Sequence, residues 1–229
     1  MSVRIAKGAP APMLVGSFLE GGERRFLPSS WAELDRARTA AMAWLKTFDF
    51  PRGGHVISSF TSRDTAQATP FDRAVGSLGL IPCSAEVQRN EASRFEMIVR
   101  RFDAVGAAVA SDEVLAGLQD IGQTVGGLFK ERTLWLRPAA YDRLKETAGV
   151  RVRRWLDVGP AVAFECVAGD GAHVDAREWV VGEDGGHITL TSRLPRCLEF
   201  AAWRSDVQGA VRHEMCRCGS LDPRIIPSG

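Results

Sequence analysis

Between residues 30 and 157, stretches with helical periodicity alternate with short apolar stretches, and this alternation limits the possible folds more than any other sequence feature. Ser30 and Glu33 have the spacing of a capping box at the start of the first predicted helix. Leu34 and Ala41 then share one face of that helix. Strands that alternate with helices predict a parallel sheet with helices packed on its faces. We therefore expect an α/β fold.

The chain beyond residue 160 has a different pattern, because short β-like runs are separated by glycine-rich turns. Such runs predict a smaller antiparallel sheet. We therefore predict three parts: an N-terminal extension (1–29), an α/β subdomain (30–157) and a β-rich subdomain (158–229).

Charge and cysteine content exclude several classes of protein. Lys and Arg total 29 against 28 for Asp and Glu, so we expect no broad basic surface for nucleic acid. No apolar run is long enough for a membrane helix, and the N-terminus lacks the apolar segment of a secretory signal. Five cysteines at uneven spacing argue against a disulfide framework and favour the reducing cytoplasm. Cys83 and Cys197 are interpreted as packing residues.

Four residues have the chemistry of a metal site: Cys166, His173, Cys216 and Cys218. Tetrahedral zinc prefers thiolate and imidazole ligands. The first two residues bracket a Gly-Asp-Gly turn, and the last two form a tight Cys-x-Cys knuckle. Two alternatives stay open: Cys166 is a buried apolar residue and the other cysteines are incidental, or His213 replaces His173 as a ligand.

Several segments match a known family in order along the chain. They are GPAVAFEC (159–166), GAH (171–173), CRCG (216–219) and PRI (223–225). This order resembles the phenylacetate–coenzyme A ligase branch of the adenylate-forming enzymes, where GPGVAxEC follows YGxSE, GLH comes next, and CPCGR…PRI closes the large domain. The resemblance covers about residues 35–226. It implies part of the large-domain fold, a structural zinc at the four positions above, and chemistry on an acyl or aryl carboxylate, its adenylate or its CoA thioester.

The resemblance also implies a ligand cleft. Asp157 takes the place of the acidic residue of YGxSE, and Asp206 is retained in the ribose motif, which reads WRSD (203–206). The residues predicted to bind the ligand are Trp155, Val162, Trp203, Arg204 and Asp206.

Two departures from the family argue against ATP chemistry. The phosphate-binding loop is replaced by residues 19–25, where Glu20 and Glu23 would repel phosphate. The sequence stops about where the family's hinge begins, so we expect the mobile domain with the catalytic lysine to be absent. The departures make ATP or CoA a doubtful cofactor and predict no autonomous ligase activity.

Asp157 and Glu165 are the candidate catalytic carboxylates, as an acidic pair able to act as a general base. The alternative is a solvated strand end and a strand carboxylate paired with an arginine. Arg151, Arg153 and Arg154 could bind a phosphate, or form an exposed strand face.

Two functions stay open at this point. One is a shortened enzyme of the adenylate-forming type that acts on a small-molecule carboxylate or thioester. The other is a non-catalytic remnant that binds a partner or ligand beside a biosynthetic enzyme. In both cases we expect a homodimer or a partner subunit, with the helix from residue 30 to 48 as a candidate contact. In the family, the N-terminal half of the large domain and the C-terminal domain cover this part of the fold, and we expect both to be largely absent here. Their absence would expose apolar sheet and helix faces.

Overall fold

The computed structural model describes residues 2–4, 8–85 and 88–228. Its helices are α1 (Trp31–Leu45), α2 (Thr65–Ser77), α3 (Ala92–Arg101), α4 (Asp112–Asp120), α5 (Val125–Leu128) and α6 (Pro138–Leu144). Its strands are β1 (Ser2–Arg4), β2 (Leu14–Glu20), β3 (Glu23–Ser29), β4 (His55–Ser58), β5 (Ile81–Ser84), β6 (Gly106–Ala108), β7 (Thr133–Leu136), β8 (Arg151–Val158), β9 (Ala161–Glu165), β10 (Ala172–His173), β11 (Trp179–Asp184), β12 (His187–Ser192), β13 (Glu199–Ala201), β14 (Trp203–Arg212) and β15 (Arg224–Pro227). None of the helices in these ranges is long and apolar enough to cross a membrane.

Eleven of the described strands form one mixed sheet in the order β11-β12-β14-β15-β10-β9-β8-β7-β6-β4-β5. In this order, every pairing from β8 through β7, β6 and β4 to β5 is parallel. Every pairing from β8 through β9, β10, β15, β14 and β12 to β11 is antiparallel. The predicted fold class, a parallel sheet flanked by helices and followed by antiparallel β-structure, is confirmed.

The strand β8 belongs to both parts of this sheet. It pairs in parallel with β7 and antiparallel with β9, and the two-residue turn Gly159–Pro160 joins it to β9. Gly159 has a φ of 58°, and a Cβ atom there would lie 2.0 Å from the ring of Trp203. Only glycine fits this turn. The sheet is continuous across the predicted subdomain boundary, and the three-part division stays a prediction.

Helix α1 begins as the sequence predicts. The Ser30 hydroxyl accepts from the Glu33 backbone amide, and the Glu33 carboxylate accepts from the Ser30 amide at 2.9 Å. Leu34, Ala41 and Leu45 are buried. The capping box of Ser30 and Glu33 gives hydrogen-bond partners to amides that have none within the helix. The sequence therefore predicted the start of α1 correctly.

The β2–β3 hairpin and the full length of β14 were not predicted. Residues 14–29 form the antiparallel hairpin β2–β3, in which buried Phe18 and Leu27 face the protein while Val15 and Phe26 are exposed. Strand β14 is ten residues long, longer than the short β-like runs that the sequence predicts beyond residue 160. Its buried positions include Ser205 rather than only apolar residues, so no apolar alternation marks it.

Candidate metal centre and ligand cavity

The four predicted metal ligands lie together. Cys166 follows β9, His173 lies on β10, and Cys216 and Cys218 lie in the loop between β14 and β15. The Sγ atoms of Cys166 and Cys216 are 3.7 Å apart, and Sγ of Cys218 is 3.5 Å from Nε2 of His173. All four ligand atoms lie within 4.8 Å of one another. The chain therefore has a Cys₃His cluster that could hold a metal ion.

The spacing of these atoms fits a tetrahedral ion. With Zn–S bonds of about 2.3 Å and a Zn–N bond of about 2.0 Å, two sulfurs lie about 3.8 Å apart and a sulfur and nitrogen about 3.5 Å apart. The two contact distances, 3.7 Å and 3.5 Å, match these values. His213, the alternative ligand, is exposed and lies outside the cluster.

Burial controls the protonation of the cluster. It raises the pKa of the Cys166 thiol to about 12 and raises the pKa of Cys218 as well. It lowers the pKa of His173, so the imidazole is neutral and able to donate its lone pair. Thiols must lose their protons when they bind a metal, so metal binding here releases protons into solution.

Two further residues contact the cluster from outside. Nδ1 of His173 lies 3.3 Å from the Asp222 carbonyl oxygen, which leaves Nε2 directed at the cysteines. The Trp44 indole N–H donates to the Asp222 carboxylate at 2.9 Å, and its ring stacks on His173 at an interplanar angle of 22°. Helix α1 therefore contacts both the ligand His173 and the residue that orients it.

A buried cavity of about 80 Å³ lies beside Trp44. Its walls come from α1, α2, β3, β8 and β9. Two of the predicted ligand residues, Trp155 and Val162, line it, together with small side chains such as Ala37. The cavity is therefore mainly apolar.

One end of the cavity is charged. Arg196 is buried there, with its side chain 8% exposed, and pairs with Glu178 and with Glu33. Glu178 also pairs with Arg36. Burial raises the pKa of Glu33, but Arg196 and hydrogen bonds from Ser30 outweigh it and hold this pKa below its ordinary value. Within the described residues the Arg196 Nε–H has no acceptor, so it is available to a ligand oxygen.

A second, open cleft contains the other predicted acidic residues. Asp157 and Asp206 line it with Arg137, which pairs with Asp157 at 2.6 Å. The turn of the β2–β3 hairpin closes one side: the Gly21 amide donates to Asp206 at 3.0 Å, and the Trp203 indole donates to Glu20 at 2.7 Å. The chain's own hairpin therefore uses the carboxylate that the family resemblance assigns to ribose.

The remaining predicted residues have structural partners. Glu165 is buried, and both of its carboxylate oxygens accept from Arg154. Arg153 donates to three backbone carbonyls. Trp203 is fully buried, while Arg204 is exposed and lines neither the cavity nor the cleft. The arrangement of Glu165 and Arg154 is the arginine-paired alternative, and the catalytic role of Glu165 stays a prediction.

Sequence reasoning missed Arg196, Asp222 and Trp44 as parts of these sites. Trp44 and Asp222 are 178 positions apart, and no spacing rule connects them. For Asp222 a local signal exists, because the Ser220 hydroxyl donates to its carboxylate and marks a turn that fixes the chain after the knuckle.

No family model and no curated protein sequence matches the chain. Solved structures do match. A 2-hydroxyisobutyryl-CoA ligase with bound 2-HIB-AMP gives a TM-score of 0.69 at 10% identity, covering 93% of this chain and 50% of that one. The Klebsiella oxytoca NpsA N-terminal subdomain with anthranilyl-AMSN gives 0.57 at 9% identity, covering 96% and 64%.

The chain spans about half the length of the ligase that it matches. At identities of 9–10% the likeness establishes the fold alone. The protein therefore has the fold of one half of an adenylate-forming acyl-CoA ligase.

Proposed function

We propose that this protein is a shortened relative of the adenylate-forming ligases, of the phenylacetate–CoA ligase-like branch, that binds a small carboxylate or its activated derivative and does not by itself activate it with ATP. The observation that carries the proposal is the hairpin turn in the cleft. The Gly21 amide donates a hydrogen bond to the Asp206 carboxylate, and the Trp203 indole donates one to the Glu20 carboxylate.

The hairpin turn is also unsuited to phosphate. It carries Glu20 and Glu23 at its two ends, and the loop between β2 and β3 does not begin a helix. Phosphate sites need clustered backbone amides and cations. The turn leads into a strand rather than a helix N-terminus with clustered amides, which supports a protein without ATP-dependent chemistry.

The buried cavity has a donor and an apolar wall for a small acyl ligand. The Arg196 Nε–H supplies a donor at its charged end, and Trp155 and Val162 supply an apolar wall. Its volume of about 80 Å³ is about half of the 150 Å³ in which a benzene-sized molecule fits. A short branched acyl chain therefore fits better than an aryl ring, and the matched ligase binds an adenylate, 2-HIB-AMP.

We assign the Cys₃His cluster to structural zinc, because all four positions are protein ligands and none is left for substrate. The described cysteines are all unpaired thiols, which supports the cytoplasm as the location. No described residue is assigned to CoA.

The alternative is a non-catalytic ligand-binding or partner-binding protein. One observation favours it: both candidate catalytic carboxylates are ion-paired, Asp157 with Arg137 and Glu165 with Arg154. Carboxylates held by arginine are poor general bases, because the paired charge stabilises the ionised form.

Binding can be tested by thermal shift and native mass spectrometry with isobutyrate, propionate, benzoate and phenylacetate. We expect the two short acids to bind and the two aryl acids not to bind. Ala37→Leu, which narrows the cavity, should abolish binding. Ala43→Leu makes the same change on an exposed position of α1 and should leave binding intact. Equal binding by both variants would place the ligand elsewhere.

The absence of ATP chemistry has a separate test. The purified 229-residue chain should show no carboxylate-dependent ATP–pyrophosphate exchange with any of the four acids. Exchange above the background of an acid-free control would contradict the proposal and restore a ligase function.

A further inference from the structure

The metal cluster and the cavity share one residue. Trp44 lines the cavity and also stacks on the candidate ligand His173 at a ring-centroid distance of 5.9 Å. Its indole N–H also donates to Asp222. A single buried side chain therefore contacts both the cavity and the metal cluster.

Asp222 holds the loop that orients His173. Its carboxylate accepts from Trp44, from the Ser220 hydroxyl at 3.0 Å and from the Ala176 amide at 3.2 Å. Its backbone carbonyl faces Nδ1 of His173. The three contacts to the carboxylate fix the position of the carbonyl, and the carbonyl fixes the orientation of the imidazole ring.

We propose that Asp222 and Trp44 are positioning residues of the metal centre and that they link its occupancy to the cavity wall formed by α1. The inference rests on the zinc assignment made above. Outer partners that orient a ligating histidine typically change metal affinity by about 10- to 100-fold when they are replaced.

The link works in both directions. If zinc fixes His173, the stacked indole and its hydrogen bond to Asp222 are fixed with it. By thermodynamic linkage, a ligand that prefers the fixed position of Trp44 must in turn tighten zinc binding. Removing zinc therefore loosens the cavity wall.

Zinc affinity, measured by competition with a chromophoric chelator, tests the positioning role. We expect about 10-fold weaker binding for Trp44→Phe, which removes the N–H donor, and 10- to 100-fold weaker binding for Asp222→Ala. Trp31→Phe makes the same substitution on the exposed start of α1, and Asp184→Ala removes an exposed carboxylate on β11. Both controls should bind zinc as the wild type does.

Fluorine NMR of the wild type labelled with 5-fluorotryptophan gives a second readout, and the Trp44→Phe and Trp31→Phe variants assign two of its six resonances. The Trp44 resonance should shift between the zinc-loaded and zinc-free protein, and the Trp31 resonance should not. If the wild type binds no zinc, the zinc assignment itself is wrong. If it binds zinc but Trp44→Phe binds as tightly, or the Trp44 resonance does not shift, the positioning role alone is wrong.

Discussion

Glu33 joins two structural roles in one carboxylate. It completes the capping box of α1 with Ser30, and it pairs with buried Arg196 at the charged end of the cavity. The sequence spacing predicts the first role but not the second, because Arg196 is 163 positions away along the chain. Its depressed pKa makes this residue a source of pH-dependent stability.

Replacing Glu33 tests this dependence. A carboxylate whose folded pKa lies below its unfolded value stabilises the fold above about pH 4 and loses that effect as pH falls through the folded pKa. We expect Glu33→Gln to lower the free energy of unfolding by about 3 kcal/mol at pH 7, because Arg196 loses a buried partner. The deficit should shrink on acidification, as measured by urea unfolding between pH 7 and pH 3.

Glu23→Gln is the matched control for this change, because the Glu23 side chain is 74% exposed. It should change the unfolding free energy very little at any pH. An equal deficit for Glu33→Gln at pH 7 and pH 3 would show that the ion pair with Arg196 does not stabilise the ionised form.

The Cys₃His cluster was predictable at the residue scale, whereas the cavity was not. Cys and His at recognisable spacings specify metal chemistry without knowledge of the fold. Arg196 and Ala37 are ordinary residue types, and the tertiary packing of α1 alone makes them neighbours of a cavity. A metal site can be predicted from the residue types that bind metals, but a cavity whose lining residues are distant in the sequence cannot be predicted in this way.

At the scale of elements, the Cys₃His cluster brings the knuckle between β14 and β15 next to residues at the end of β9 and on β10. We expect about one zinc per chain by metal analysis. Cys216→Ser combined with Cys218→Ser should remove the zinc and lower the melting temperature by about 10 °C, since each 1 kcal/mol lost shifts a chain of this size by about 2–4 °C.

Cys83→Ser is the control for the double change, because Cys83 lies on the edge strand β5, outside the cluster. It should keep the zinc and nearly the wild-type melting temperature. A chelator should lower the melting temperature of the wild type and of Cys83→Ser but not of the double variant; a wild type that contains no metal would contradict the assignment.

Among the elements, those with strong apolar periodicity were predicted and those with polar interiors were not. Strands β4 and β7 are short apolar runs buried in the sheet and were read correctly. The β2–β3 hairpin carries polar residues on much of both strands, and its pairing depends on α2 and β14 beneath it. Its stability comes from tertiary contacts, which a local pattern does not report.

At the scale of the whole molecule, the predicted homodimer stays a prediction. Trp44 is buried within its own chain, whereas Trp31 at the start of α1 is 53% exposed, with Arg73 over its ring. If α1 forms the contact, light scattering at micromolar concentration should give about 50 kDa, twice the 24.9 kDa of one chain. Trp31→Glu should then halve this mass.

Met97→Glu is the matched control, because Met97 is similarly exposed but lies on α3. It should leave the dimer intact. A wild type that scatters as a single chain would contradict the dimer, and a Trp31→Glu protein that stays dimeric would move the contact away from α1.

The hairpin turn that binds Asp206 and Trp203 belongs to the same chain as the cleft, so it acts as a tethered competitor. Both partners lie in one folded chain, so the turn is held beside the carboxylate at all times. Any free molecule that binds the Asp206 carboxylate must therefore displace the Gly21 amide from it. Selectivity in this cleft therefore depends on displacement of the turn as well as on fit.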